Sequence, residues 1–112
     1  MKISMVVALL ISSVFSFPVY AGETDFKQYL NKPYSQVRES LISEGWQVVP
    51  NKKINDTSLY AQSVYEKGYQ EVVDCVSMER DQCQFVLSKN KQLILVTTKE
   101  KSLNVESMEL NN

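Results

Sequence analysis

The chain has 112 residues, with 12 basic and 13 acidic side chains for a net charge of −1, two cysteines and no histidine. Without histidine it lacks the commonest general base and the commonest neutral metal ligand. A near-neutral balance, with Arg38 and Arg80 as its arginines and lysines scattered between, argues against a nucleic-acid interface.

In chain order, Met1 and Lys2 precede an almost unbroken apolar run from Met5 to Phe17, and Val19 and Ala21 supply the small residues of a cleavage site before Gly22. This is the pattern of a secretory signal peptide over 1–21, its apolar run shorter than the roughly 20 residues that span a bilayer. The expected product is a single domain over 22–112, periplasmic or secreted, with no stable membrane insertion after cleavage. Losing Lys2 with the leader makes the mature chain one charge more acidic. About 90 residues is near the size at which one core is only marginally sufficient, so a covalent staple helps.

Phe26, Tyr29 and Leu30 stand at i, i+3 and i+4, which predicts a one- to two-turn helix from near Thr24 with all three on one face, ended by Asn31-Lys32. Pro33 fits the first position of a second helix. Its apolar stripe is Tyr34, Val37, Leu41 and less regularly Ile42, with Arg38, Glu39 and Glu44 on the outer side. Gly45 stops that helix, and Trp46 folds back on Leu41 in a Schellman ending. Trp46 to Val49, cut by Pro50, reads as an edge strand or an extended connector, and Asn51 to Thr57 as turns. From Ser58 to Lys67, Leu59, Tyr60 and Val64 share a helical face, with Asp56 or Thr57 as cap and Gly68 and Tyr69 repeating the ending; a strand over 59–66 is the alternative.

Beyond Tyr69 the period becomes two. Glu71, Val73 and Cys75 alternate with Val72, Asp74 and Val76, and Cys83, Phe85 and Leu87 with Gln82, Gln84 and Val86. In an oxidising compartment Cys75 and Cys83 form one disulfide with a single connectivity. If the bridge joins opposed positions of a hairpin, Cys75 pairs with Cys83, Val73 with Phe85, and Ser77 to Asp81 is the loop. Asn90 marks the next turn. Leu93 to Val96, apolar on both faces, reads as the most covered strand. Leu103 and Val105 begin a last strand; Met108 and Leu110 have the wrong parity for it, so either a bulge near Glu106-Ser107 repairs the parity or the strand ends. The predicted architecture is α+β: N-terminal helices packed on one face of a four-stranded antiparallel meander, with one disulfide.

Lys32-Pro33-Tyr34, Val37-Arg38, Leu41-Ile42, Gly45-Trp46, Gly68, Glu71-Val72, Cys75, Cys83, Phe85 and Leu93 form a pattern that resembles a group of small, mostly uncharacterised secreted proteins of Gram-negative bacteria. The likeness covers about residues 26–98 and implies a periplasmic or secreted location with no established activity. Where that group carries a Gly-Thr-Gly turn between its cysteines, this chain has Val76 to Gln82 without glycine. In element order the chain also resembles the helix-plus-sheet units of β-lactamase inhibitory protein.

The sequence has no Gly-rich phosphate loop and no Gly-x-Ser-x-Gly elbow, and Glu71 and Asp74 fall on opposite faces of one strand. Neither an enzyme nor a cofactor or metal is expected. The best contact candidate is the loop Met78, Glu79, Arg80 and Asp81, held out between stapled strands and mixing an apolar side chain with an arginine. Tyr65, at the edge of its helix, is a second. Glu71 is expected at the sheet margin, paired with a lysine. The reading is a non-enzymatic exported protein-binding module, of inhibitor or immunity type, acting on another envelope or secreted protein through a sheet face or the disulfide hairpin. The alternatives are a carboxylate-dependent envelope hydrolase or a structural envelope component.

Overall fold

The computed structural model describes residues 26–77 and 80–111. The expected leader lies outside the described residues, as do Met78 and Glu79 of the candidate loop. A 3-10 turn at Phe26–Tyr29 is followed by helix α1 (Tyr34–Ser43), strand β1 (Gln47–Val48), a 3-10 turn at Ile54–Asp56 and helix α2 (Leu59–Glu66). Four strands complete the chain: β2 (Val72–Ser77), β3 (Asp81–Lys89), β4 (Gln92–Lys99) and β5 (Asn104–Asn111). The class is α+β, and Cys75 is bonded to Cys83. The helices do not form one block ahead of the sheet, because β1 lies between them.

Both helices end as their glycines require. At α1 the Gly45 N–H bonds the Ile42 carbonyl and the Trp46 N–H that of Leu41, with Gly45 at φ +103. At α2 Gly68, at φ +116, bonds Tyr65, and Tyr69 bonds Val64. These are the paired bonds of a Schellman ending, which close the orphan carbonyls of a helix terminus. Lys89 Nζ adds a bond to the Glu44 carbonyl at 2.7 Å while lying over the Trp46 ring, so β3 holds the end of α1.

Several local expectations shift. The first segment is a 3-10 turn, in which residues three apart eclipse; Tyr29 is therefore buried and Phe26 packs on the core, while Leu30 is exposed. Pro33 is the cap of α1 rather than its first helical residue, and pairs as an isolated bridge with Asn104. Helix α2 is capped by Ser58, not by Asp56 or Thr57: its Oγ accepts from Ala61 N at 3.1 Å and donates to the Cys75 carbonyl at 3.0 Å. Tied to β2 in this way, α2 turns Ala61 and Val64 inward and leaves Leu59 81% exposed instead of on the buried face.

All strand pairs are antiparallel. β3 pairs with β4 over residues 82–89 on one side; on the other, β2 opposes residues 81–85 and β1 opposes 87–88, so β1 and β2 lie end to end. The cysteines are opposed as expected. Val73 does not oppose Phe85, however: Val72 does, and a bulge places Val73 outside the register. Ser77 pairs with Asp81, which makes the connecting loop shorter than expected. Asn90 and Lys91, at φ 51 and 70, form the two-residue turn whose twist suits a hairpin. In β5 Thr97 opposes Ser107 and Thr98 opposes Val105, leaving Glu106 as the extra residue, so of the two alternatives the strand bulges and does not end. β4 is an interior strand, yet it is covered on one face: Ile94, Val96 and Thr98 are buried, Leu93 is exposed and Leu95 half-buried.

The core gathers on that face. The Tyr34 ring stacks on Phe85 with centroids 3.9 Å apart, and Tyr69 meets both rings edge-on. Val37, Leu41, Ala61, Val64, Val96 and Val105 complete it.

Candidate functional site

Three places hold the chemistry-bearing residues, and the first is buried. Glu71 does not sit at the margin beside a lysine. It is fully buried, and its partner is Arg38, whose Nε and guanidinium NH2 donate to the two carboxylate oxygens at 2.6 and 3.3 Å. The Tyr34 hydroxyl donates to the same carboxylate at 2.6 Å, and the Arg38 guanidinium lies over the Tyr69 ring, 5.5 Å from its centroid. Arg38, expected on the outer side of α1, is thus turned inward with its side chain 24% exposed. Burial first, then the charge and hydrogen bond of Glu71, push the Tyr34 phenol well above its ordinary range. The hydrogen bond to Glu71 likewise raises Arg38 against the opposing effect of burial.

The bulge places Glu71 there. Displacing Val73 gives the inward strand position to Val72, and Glu71, just ahead of the strand, reaches α1. Asn51 braces the irregularity: its Nδ2 donates to the carbonyls of Val72 and Val73 at 3.0 and 3.1 Å, and its N–H to that of Gln70. One signal for this cluster was available in the sequence: Tyr34 and Arg38 are one turn apart on α1, so an acid entering the core between them meets both. The carboxylate is buried, doubly bonded to a guanidinium and beside the Tyr34 and Tyr69 rings, an arrangement that ties α1 to the start of β2.

The second place is the closed end of the β2–β3 hairpin. Arg80 is exposed and ion-paired with Glu106, the bulged residue of β5, which also accepts from Gln82 Nε2 at 2.9 Å. The Arg80 hydrogen bond, then that of Gln82, hold the Glu106 carboxyl below its usual range. Asp81 begins β3, and its carbonyl accepts from the Glu100 N–H at 2.7 Å. Asp81 and Glu100 line an open hollow with Arg80, Lys99 and Lys101. Three cations around two acids, with Glu100 accepting from Asn104, make a surface charge cluster and not the apolar pocket that singles out a general acid. Tyr65 is half-buried and packs against the core. Among the described residues no group of three or more His, Cys, Asp or Glu is placed to hold a metal ion.

The third place is the sheet face opposite the core. Register sets Gln84 beside Thr97 and Val86 beside Leu95, with Thr97 next to Ser107 and Leu95 next to Glu109. Gln84, Val86, Leu95 and Thr97 are half-buried; Val76 and Leu93 are exposed on the same face. The centre is uncharged, and Asp74, Lys99 and Glu109 lie around it. Comparison with protein-family models, with curated proteins and with solved structures finds no match.

Proposed function

We propose that the chain is a non-enzymatic, exported recognition module that binds another envelope or secreted protein through the open face of its sheet. The reading rests on one observation: the uncharged row of Gln84, Val86, Leu95 and Thr97, ringed by charges, on strands stapled by Cys75–Cys83. An interface centre is depleted in charge and has a polar rim, and a pre-ordered surface loses little entropy on binding. Among the described residues the buried side chains of α1 and α2 join the core with the inward residues of β3 and β4, which supports the layering that the resemblance to secreted two-cysteine proteins and inhibitor-like units implies. Export supplies the oxidising compartment in which the disulfide persists. Among the described residues no helix is long and apolar enough to cross a membrane.

The test is affinity capture from periplasmic extract with three baits: the native sequence, the outer-face variant Val86→Arg/Leu95→Glu, and the hairpin variant Arg80→Ala. One and the same protein is expected with the native and hairpin baits and not with the outer-face bait. Loss with Arg80→Ala alone transfers the contact to the hairpin, and a protein retained by all three ends the outer-face reading. Native material is expected to begin at Gly22 with both cysteines oxidised, which intact mass measures.

A further inference from the structure

A cleft of about 340 Å³ opens between α2, the β2–β3 hairpin and the β4–β5 turn. Tyr60, Val64 and Leu103 give it an apolar lining; Lys67, Asp81 and Lys101 bring charges of both signs. We propose that it binds a small zwitterion with an apolar side chain, the chemistry of an apolar α-amino acid.

The charges carry the argument. Among the described residues the ion pairs are Arg38–Glu71 and Arg80–Glu106, and neither uses Lys67, Asp81 or Lys101. Glu100 beside them is bonded to Asn104. Two lysines and one aspartate therefore line one concavity with no salt bridge among them, although Asp81 and Lys101 also border the neighbouring charged hollow. A bound carboxylate takes the lysines, a bound ammonium takes Asp81, and an aliphatic side chain covers Val64 and Leu103. A simple fatty acid leaves Asp81 unpaired, and a simple amine leaves both lysines unpaired, so the zwitterion fits better than either. The volume is at the small end of ligand pockets and suits a molecule of that size. Tyr60 lines the cleft, its hydroxyl is buried with no hydrogen-bond partner among the described residues, and burial, then the Asp81 charge, push the phenol above its ordinary range.

The experiment is an amide-shift NMR titration of the chain with L-leucine up to roughly 50 mM, where even a millimolar site fills. Saturable shifts are expected around Tyr60, Ser77, Asp81 and Lys101. N-acetylleucine, without the ammonium, and leucinamide, without the carboxylate, are each expected to bind roughly ten-fold more weakly, the factor set by one charge-assisted hydrogen bond. Asp81→Asn is expected to weaken leucine about as much and to abolish its advantage over N-acetylleucine. No saturable shift with leucine, equal binding of N-acetylleucine, or unchanged binding by Asp81→Asn overturns the assignment. The outer-face variant Val86→Arg/Leu95→Glu is expected to bind leucine as the native chain does, so the cleft and the recognition face stand or fall separately.

Discussion

Replacing Arg38 by methionine is expected to be among the most damaging single changes in this domain, and more damaging than neutralising the acid it serves. Arg38→Met keeps much of the stem's volume but removes both guanidinium bonds, leaving the fully buried Glu71 carboxylate with the Tyr34 hydroxyl as its remaining side-chain donor. A buried charge deprived of its partner costs about 3–5 kcal/mol. Glu71→Gln leaves the opposite orphan, and Arg38 reaches water through its exposed quarter, so the loss is that of hydrogen bonds alone, about 1–3 kcal/mol. Removing both charges with Arg38→Met/Glu71→Leu strands only the Tyr34 hydroxyl, and the double variant is expected to be more stable than Arg38→Met by about 2 kcal/mol, since well-packed apolar replacement of a buried pair is often near neutral. Urea unfolding at pH 7 with the disulfide intact measures all three, against a native stability of about 5–15 kcal/mol. The reasoning is refuted if Glu71→Gln costs more than Arg38→Met, or if the double variant shows the sum of the single losses.

Gly68→Ala is expected to cost about 1–2 kcal/mol from backbone strain at φ +116 alone, because nothing lies within 4 Å of the added carbon; the shift in urea midpoint reads it. Cys75→Ala/Cys83→Ala opens a loop of about nine residues and is expected to lower stability by about 2.5 kcal/mol in the same assay. Glu106 is held low by Arg80, so its contribution is present above the ordinary carboxylate range and disappears as pH falls through its depressed value. The stability difference between native chain and Glu106→Gln is therefore expected at pH 7 and absent in acid well below pH ~4. Tyr34, raised in the fold, contributes stability below the ordinary phenol range near pH ~10 that is lost as pH rises, so its tyrosinate absorbance is expected to appear only with alkaline unfolding and to be missing in Tyr34→Phe.

Much of the backbone plan was legible because its signals are local. Gly45 with Trp46, and Gly68 with Tyr69, each write a helix ending within six residues, and the bonds follow the pattern. Alternation around Cys83, Phe85 and Leu87 marked the buried face of β3, and the parity conflict between Val105 and Met108 raised a bulge near Glu106-Ser107, which the register places at Glu106, as one of two alternatives. The candidate site was read less well. The opposed cysteines of the hairpin were placed correctly, the pairing of Phe85 was not, and the tie of Arg80 to Glu106 spans 26 residues and left no trace in the spacing. The outer face was anticipated only as a sheet face, without its members, since Leu93 and Leu95 read as covered on both sides.

Residue order alone therefore settled α1, the β2–β3 and β3–β4 strand succession, the opposed cysteines and the class, each the outcome of steric and hydrogen-bonding preferences among near neighbours. Tertiary packing decided which way α2 rolled, which valine of β2 left the register, and that Glu71 entered the core. An acid's fate depends on whether a cation and a donor reach it once water is gone, and the groups that do so, Arg38 and Tyr34, stand 33 and 37 residues away and meet it only when helix and sheet close.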